Sequence, residues 1–156
     1  VISLQPLIFG ISQLVTALQI GVFFAIGLYK VRKPGSLLIM ALMMGLIQLM
    51  MSPPMFLSSV LNGILIELIV LLLFRGYEKD AAVFCAAMLH TPLSLPFNYL
   101  YNRLVKGADS PLAAVADRAP LATVGMTLAV VAVSALGALI GIKIARELKK
   151  SGVLKK

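Results

Sequence analysis

APLATVGMTLAVVAVSALGALIGI, residues 119–142, runs for 24 positions without one charged side chain and gives way at once to Lys143 and Arg146. A helix needs ~20 apolar residues to cross a bilayer. This stretch meets that length and ends in the cations that mark a membrane boundary. Working outward, three more charge-free runs appear: Val1–Tyr29, Pro34–Ile66 and Ala81–Asn102. The second is interrupted by Ser52-Pro53-Pro54, a turn signal. Five spans follow, at about Leu7–Tyr29, Ser36–Met51, Met55–Phe74, Ala81–Tyr101 and Leu121–Ile142. The fold class expected is an all-α integral membrane protein forming a single helical domain.

Composition agrees. Apolar types make up 60% of the 156 residues and charged types 13%, about half the ~25% of soluble domains. Mean hydropathy is +1.01. A soluble enzyme is excluded on this ground, and a nucleic-acid binder is disfavoured although the net charge is +8. The single cysteine, Cys85, excludes an intrachain disulfide and a cysteine metal cluster, and reads as a small buried hydrophobe. No phosphate-binding loop, zinc helix or Gly-x-Ser-x-Gly elbow occurs. The chain is therefore expected not to be an enzyme, to hold no cofactor or metal, and to be unable to power transport alone.

The basic residues fall by position. Lys30, Arg32 and Lys33 follow span one, Arg75 and Lys79 follow span three, and six more lie from Lys143 to the end of the chain. In a five-span chain these clusters share one face, the cytoplasmic one by the positive-inside rule. The uncharged amino end then lies outside. It starts without Met, which implies one more helix before Val1 in the natural protein, or a processed terminus. Turn chemistry sets the boundaries. Lys33-Pro34-Gly35-Ser36 joins two helices with Ser36 as a cap, Asp80 caps span four, and Gly152 ends the last helix.

Polar residues inside spans are the candidate site. Glu67 lies seven residues before Phe74. It is either a ligand-binding or proton-carrying acid, or a hydrogen-bonded acid packed between helices. Gly63, one turn earlier, leaves room for a ligand or a close helix, and Asn62 lies at the edge of the same cavity. His90 precedes Pro92 and Pro96, which cannot both continue a regular helix without freeing carbonyls. A broken helix there would make His90, Ser94, Asn98 and Tyr99 pocket residues, with a helix-bridging bond as the other role for His90. Gln48 lies near the outer end of span two. Gly137 and Gly141 form a small-x-x-x-small pair that lets a helix approach closely.

Three stretches carry a family likeness: Val31-Arg32-Lys33-Pro34-Gly35-Ser36-Leu37-Leu38, Asn62-Gly63-Ile64-Leu65-Ile66-Glu67, and Leu136-Gly137-Ala138-Leu139-Ile140-Gly141 leading to Leu148-Lys149-Lys150-Ser151-Gly152-Val153-Leu154. In them the chain resembles the membrane-embedded substrate-binding (S) components of energy-coupling factor (ECF) vitamin transporters, closest to the hydroxymethylpyrimidine/thiamine permease type. The resemblance implies six helices with both ends cytoplasmic in a prokaryotic cell membrane. It implies a transmembrane coupling subunit and ATPase subunits as partners, and a pocket near the outer face closed by a loop that includes Val1–Phe9. Glu67 would be the pocket acid, binding a vitamin or vitamin precursor such as an aminopyrimidine. Phe97 or Tyr99 would stack on the ring, since there is no Trp. The family's small-residue docking motif belongs to a first helix that this sequence does not contain. Three other roles remain open: a proton-coupled secondary transporter, a membrane enzyme using Glu67 and His90, and a structural subunit.

Overall fold

Among the described residues, five α-helices follow the charge-free runs: α1 (Ile11–Val31), α2 (Ser36–Leu49), α3 (Pro53–Phe74), α4 (Asp80–Val105) and α5 (Pro120–Lys150). They come from a computed structural model that describes residues 11–50, 53–105, 107 and 120–153. The expected loop Val1–Phe9, the turn residue Ser52 and most of the connection between α4 and α5 lie outside the described residues. Met55–Phe74 and Leu121–Lys150 are long and apolar enough to cross a membrane, while α1 and α2 supply the shorter apolar stretches Thr16–Val31 and Ser36–Leu49. The chain is an all-α integral membrane protein.

The packing explains why the hydrophobic pattern is nearly continuous around each helix. α1 packs on α5, α4 and α2, α3 packs on α2 and α4, and α4 packs on α5. Small residues line these contacts, and large ones such as Ile39, Met43, Ile47, Leu72, Leu73, Leu128 and Leu136 point outward. In water such a surface would aggregate, whereas in a bilayer it is the solvated face.

Gly137 and Gly141 bring α5 against the backbone of α1. A Cβ on Gly137 would lie 2.6 Å from the Leu18 carbonyl oxygen, and one on Gly141 would lie 2.7 Å from that of Val22. α1 and α5 thus meet backbone to backbone, as the small-residue spacing leads one to expect.

The basic clusters do converge at one end. Arg32, after α1, and Arg146, on the tail of α5, both hold the Asp80 carboxylate at the start of α4. Arg32 also donates to the Glu78 carbonyl and lies 4.0 Å over the Tyr29 ring. Gly152 ends α5 with φ +77, and the Val153 N–H reaches back to the Leu148 carbonyl at 3.1 Å.

Three local expectations are corrected. Ser36 does not cap α2: Gly35 is the cap residue, with φ 85, and the Ser36 hydroxyl donates backwards to the Lys33 carbonyl at 2.7 Å. Asp80 opens α4 without capping it, because the two arginines occupy its carboxylate. Helix α4 is not broken at its prolines. It runs unbroken from Asp80 to Val105 with Pro92 and Pro96 inside, because packing on α1, α3 and α5 holds the helix through the lost bonds.

Candidate functional site

Four polar side chains interrupt the apolar stripes that hold the bundle together. On α3 the stripe Asn62, Ile66, Val70 repeats every four residues and faces inward. On α4 the buried stripe is Val83, Ala86, Ala87, His90, Thr91. On α5 it is Val130, Ser134, Ala138. Asn62, His90, Thr91 and Ser134 are each at most 4% exposed. Among the described residues, six of their polar atoms have no hydrogen-bond partner: Asn62 Oδ1 and Nδ2, His90 Nδ1 and Nε2, Thr91 Oγ1 and Ser134 Oγ. Pro92 has no N–H to return to the Met88 carbonyl, so α4 adds backbone polarity at the same level.

These residues share one depth. His90 is ten residues from Asp80, and Ser134 is twelve from Arg146. At 1.5 Å per residue, that puts them about 15 and about 18 Å from the ionic cluster. Asn62, twelve residues before the end of α3, comes to about 18 Å by the same rise. Below them lies an apolar cluster built on Phe24, Leu28, Ile66, Val83 and Ala138, and above them a smaller one of Ala17, Leu95 and Val130. A polar layer thus lies between two apolar clusters. Its wall on α1 is aromatic: the His90 ring lies 4.3 Å from Phe24, centroid to centroid.

Asn62 and His90 were expected site residues, and the structure brings both to this layer. Glu67 is placed elsewhere. It is 7% exposed and lies where the α1–α2 and α3–α4 connections meet, at the basic end. One carboxylate oxygen accepts the Gly35 N–H at 2.6 Å, and the other accepts the Tyr77 hydroxyl at 2.9 Å. Glu67 therefore performs from α3 the capping that no residue of α2 supplies, and the helix dipole of α2 favours an anion there. Burial, then the bond to Glu67, pushes the Tyr77 hydroxyl well above the usual phenol range, so it stays a donor. Gly63 answers to a close helix: its Cβ would lie 2.5 Å from that of Ala41 on α2.

The remaining expected residues lie toward the other end. Gln48 is half-buried near the end of α2. Asn98 and Tyr99 are half-buried about two turns beyond His90. Tyr99 packs beside Leu95 and accepts a hydrogen bond from Arg103. The layer includes two residues that sequence reasoning did not single out as ligand contacts, Thr91 and Ser134. The available signal was a hydroxyl on the buried stripe of an apolar helix.

The ionic cluster predicts a pH dependence. Burial raises the Asp80 pKa, but the hydrogen bonds and charges of Arg146 and Arg32 outweigh it and hold the carboxyl below its ordinary 3.8. A carboxyl with a lowered folded-state value stabilises the fold above its unfolded value, and that contribution fades as pH falls through the folded one. Thermal unfolding in detergent should therefore drop in midpoint below about pH 4. Asp80→Asn should start from a lower midpoint and lose part of that acid sensitivity. A variant with an unchanged pH profile would remove the cluster as its source.

The family described as "Hypothetical bacterial integral membrane protein (Trep_Strep)" matches residues 1–151. No curated protein and no solved structure matches the chain.

Proposed function

The chain belongs to this family of bacterial integral membrane proteins, and on that premise we propose that it is the substrate-binding membrane subunit of an ECF-type importer. It captures a vitamin or vitamin precursor from outside the cell and passes it inward when docked on a coupling subunit driven by ATPases. Its carboxyl terminus is cytoplasmic. The observation that carries this is the polar layer. Leaving a buried donor or acceptor unpaired costs about 1–3 kcal/mol, and six such atoms lie between two apolar clusters. A small molecule with matching donors and acceptors relieves that penalty, and one without them does not, which is the physical basis of selectivity.

The chemistry of the layer narrows the ligand. Among the described residues it holds an amide, an imidazole and two hydroxyls, and no carboxylate or ammonium group. The ligand part it takes is an uncharged, hydrogen-bonding ring that can lie against Phe24 and His90. An aminopyrimidine fits this description, and a fixed cation does not. Glu67, with both oxygens engaged, is not required as a ligand contact.

Native mass spectrometry of the purified protein, alone and after addition of hydroxymethylpyrimidine or thiamine, tests this. A retained heterocycle is expected, with the pyrimidine held in preference to thiamine. Asn62→Leu and His90→Phe should each weaken retention at least tenfold while leaving the ligand-free protein as stable as the parent or more so. Retention unaffected by both substitutions would remove the layer from ligand binding.

A proton-coupled transporter is the second role, favoured by the titratable ring of His90 deep in the bundle. Uptake into vesicles driven by a pH gradient without ATPases would select it.

A further inference from the structure

A groove of about 550 Å³ opens between α4 and α5 at the basic end, away from the polar layer. Sites for small ligands commonly span about 300–1,000 Å³. The groove has a polarity gradient along the helix axes. Asp80, Lys143 and Arg146 form its rim, and Phe84, Leu139 and Ile142 form the wall beneath. Phe84 is one turn from Asp80 toward the bundle centre, and Leu139 is one turn from Lys143 in the same direction.

The rim is electrostatically unbalanced. The charge of Asp80 is already answered by both Arg32 and Arg146. Lys143 is exposed and has no acidic partner among the described residues. Two arginines and a lysine therefore face one carboxylate. An occupant must offer negative charge at the rim and apolar surface one turn deeper. A soluble anion satisfies only the first demand, and a neutral lipid only the second.

We infer that this groove binds an anionic phospholipid, its phosphate at Lys143 and Arg146 and the start of its acyl chains against Phe84, Leu139 and Ile142. Basic recesses between helices at a membrane boundary are suited to such headgroups. The inference is independent of what the polar layer binds.

Native mass spectrometry of the full chain in detergent, with equal amounts of dioleoylphosphatidylglycerol and dioleoylphosphatidylcholine, tests it. Phosphatidylglycerol adducts should exceed phosphatidylcholine adducts at least fivefold. Lys143→Gln should reduce the phosphatidylglycerol adducts at least threefold, and Leu139→Trp, which fills the wall, should do the same. Lys149→Gln, on the exposed tail, should leave them unchanged. Equal retention of the two lipids would overturn the inference, as would equal loss in Lys143→Gln and Lys149→Gln, which indicates diffuse charge attraction. Displacement of the lipid by millimolar inorganic phosphate would identify a free-phosphate site instead and overturn it as well.

Discussion

Glu67→Ala is expected to lower the stability of the protein by about 3 kcal/mol, because it strands two donors at once, one buried and one part-buried. The Tyr77 hydroxyl and the Gly35 N–H both end on this carboxylate, and Tyr77 is fully buried. Glu67→Gln keeps one acceptor oxygen and presents an NH2 to the other donor, so about half of the loss is expected. Tyr77→Phe removes a single bond and should cost about 1–2 kcal/mol. The two residues share that bond, so Glu67→Gln and Tyr77→Phe combined should destabilise less than the sum of the single changes. Denaturant unfolding in mixed micelles, followed by circular dichroism, measures all four proteins. The same set separates two roles for the acid. A residue that ties the connections together loses stability and leaves ligand retention intact in folded Glu67→Gln, whereas a pocket acid loses retention at unchanged stability.

Gly137→Ala should have a comparable effect, about 2–3 kcal/mol, through overpacking. The added Cβ would meet the Leu18 carbonyl oxygen at 2.6 Å and its Cα at 3.1 Å. Both are backbone atoms, so no rotamer change relieves the clash, and α1 must move as a unit. Gly141→Ala meets the Val22 backbone and the Ala25 Cβ in the same way. Gly137→Leu should prevent α1 from docking on α5 and yield aggregated protein on size-exclusion chromatography. Gly125→Ala is the control on the same helix. Nothing among the described residues lies within 4 Å of its Cβ, so it should be neutral or stabilising by up to about 1 kcal/mol through helix propensity. Equal behaviour at Gly125 and Gly137 would show that α1 does not approach α5 as described.

The helices were legible because a bilayer demands unbroken apolar length, and the chain follows three of its four charge-free runs with Lys or Arg. Boundaries at Ser36, Phe74 and Asp80 could be read to within a residue for that reason. The placement of polar groups was less legible. Asn62 and His90 stood out as polar residues in apolar runs, and the structure brings them to one depth. Thr91 and Ser134 were not singled out, since a hydroxyl reveals its isolation only when every neighbouring donor and acceptor is known. The prolines of α4 suggested a break. Whether a helix survives a missing N–H depends on the helices packed around it, which local sequence does not contain.

By itself the sequence determined that this is an all-helical membrane protein, where the boundaries at Ser36, Phe74 and Asp80 fall, and that its basic residues gather at one end. Those properties follow from transfer free energy and helix rise, which act residue by residue. The tertiary structure alone decided the fate of Glu67. An acid seven residues from a helix end looks the same whether it faces a ligand or a turn, and only the folding of Gly35 and Tyr77 onto its two oxygens distinguishes them. It likewise decided that the unpartnered polar atoms of Asn62, His90, Thr91 and Ser134 form a layer between two apolar clusters. Depth in a bundle is a relation between helices that run in opposite directions, and their relative register is set by contacts such as Gly137 on Leu18.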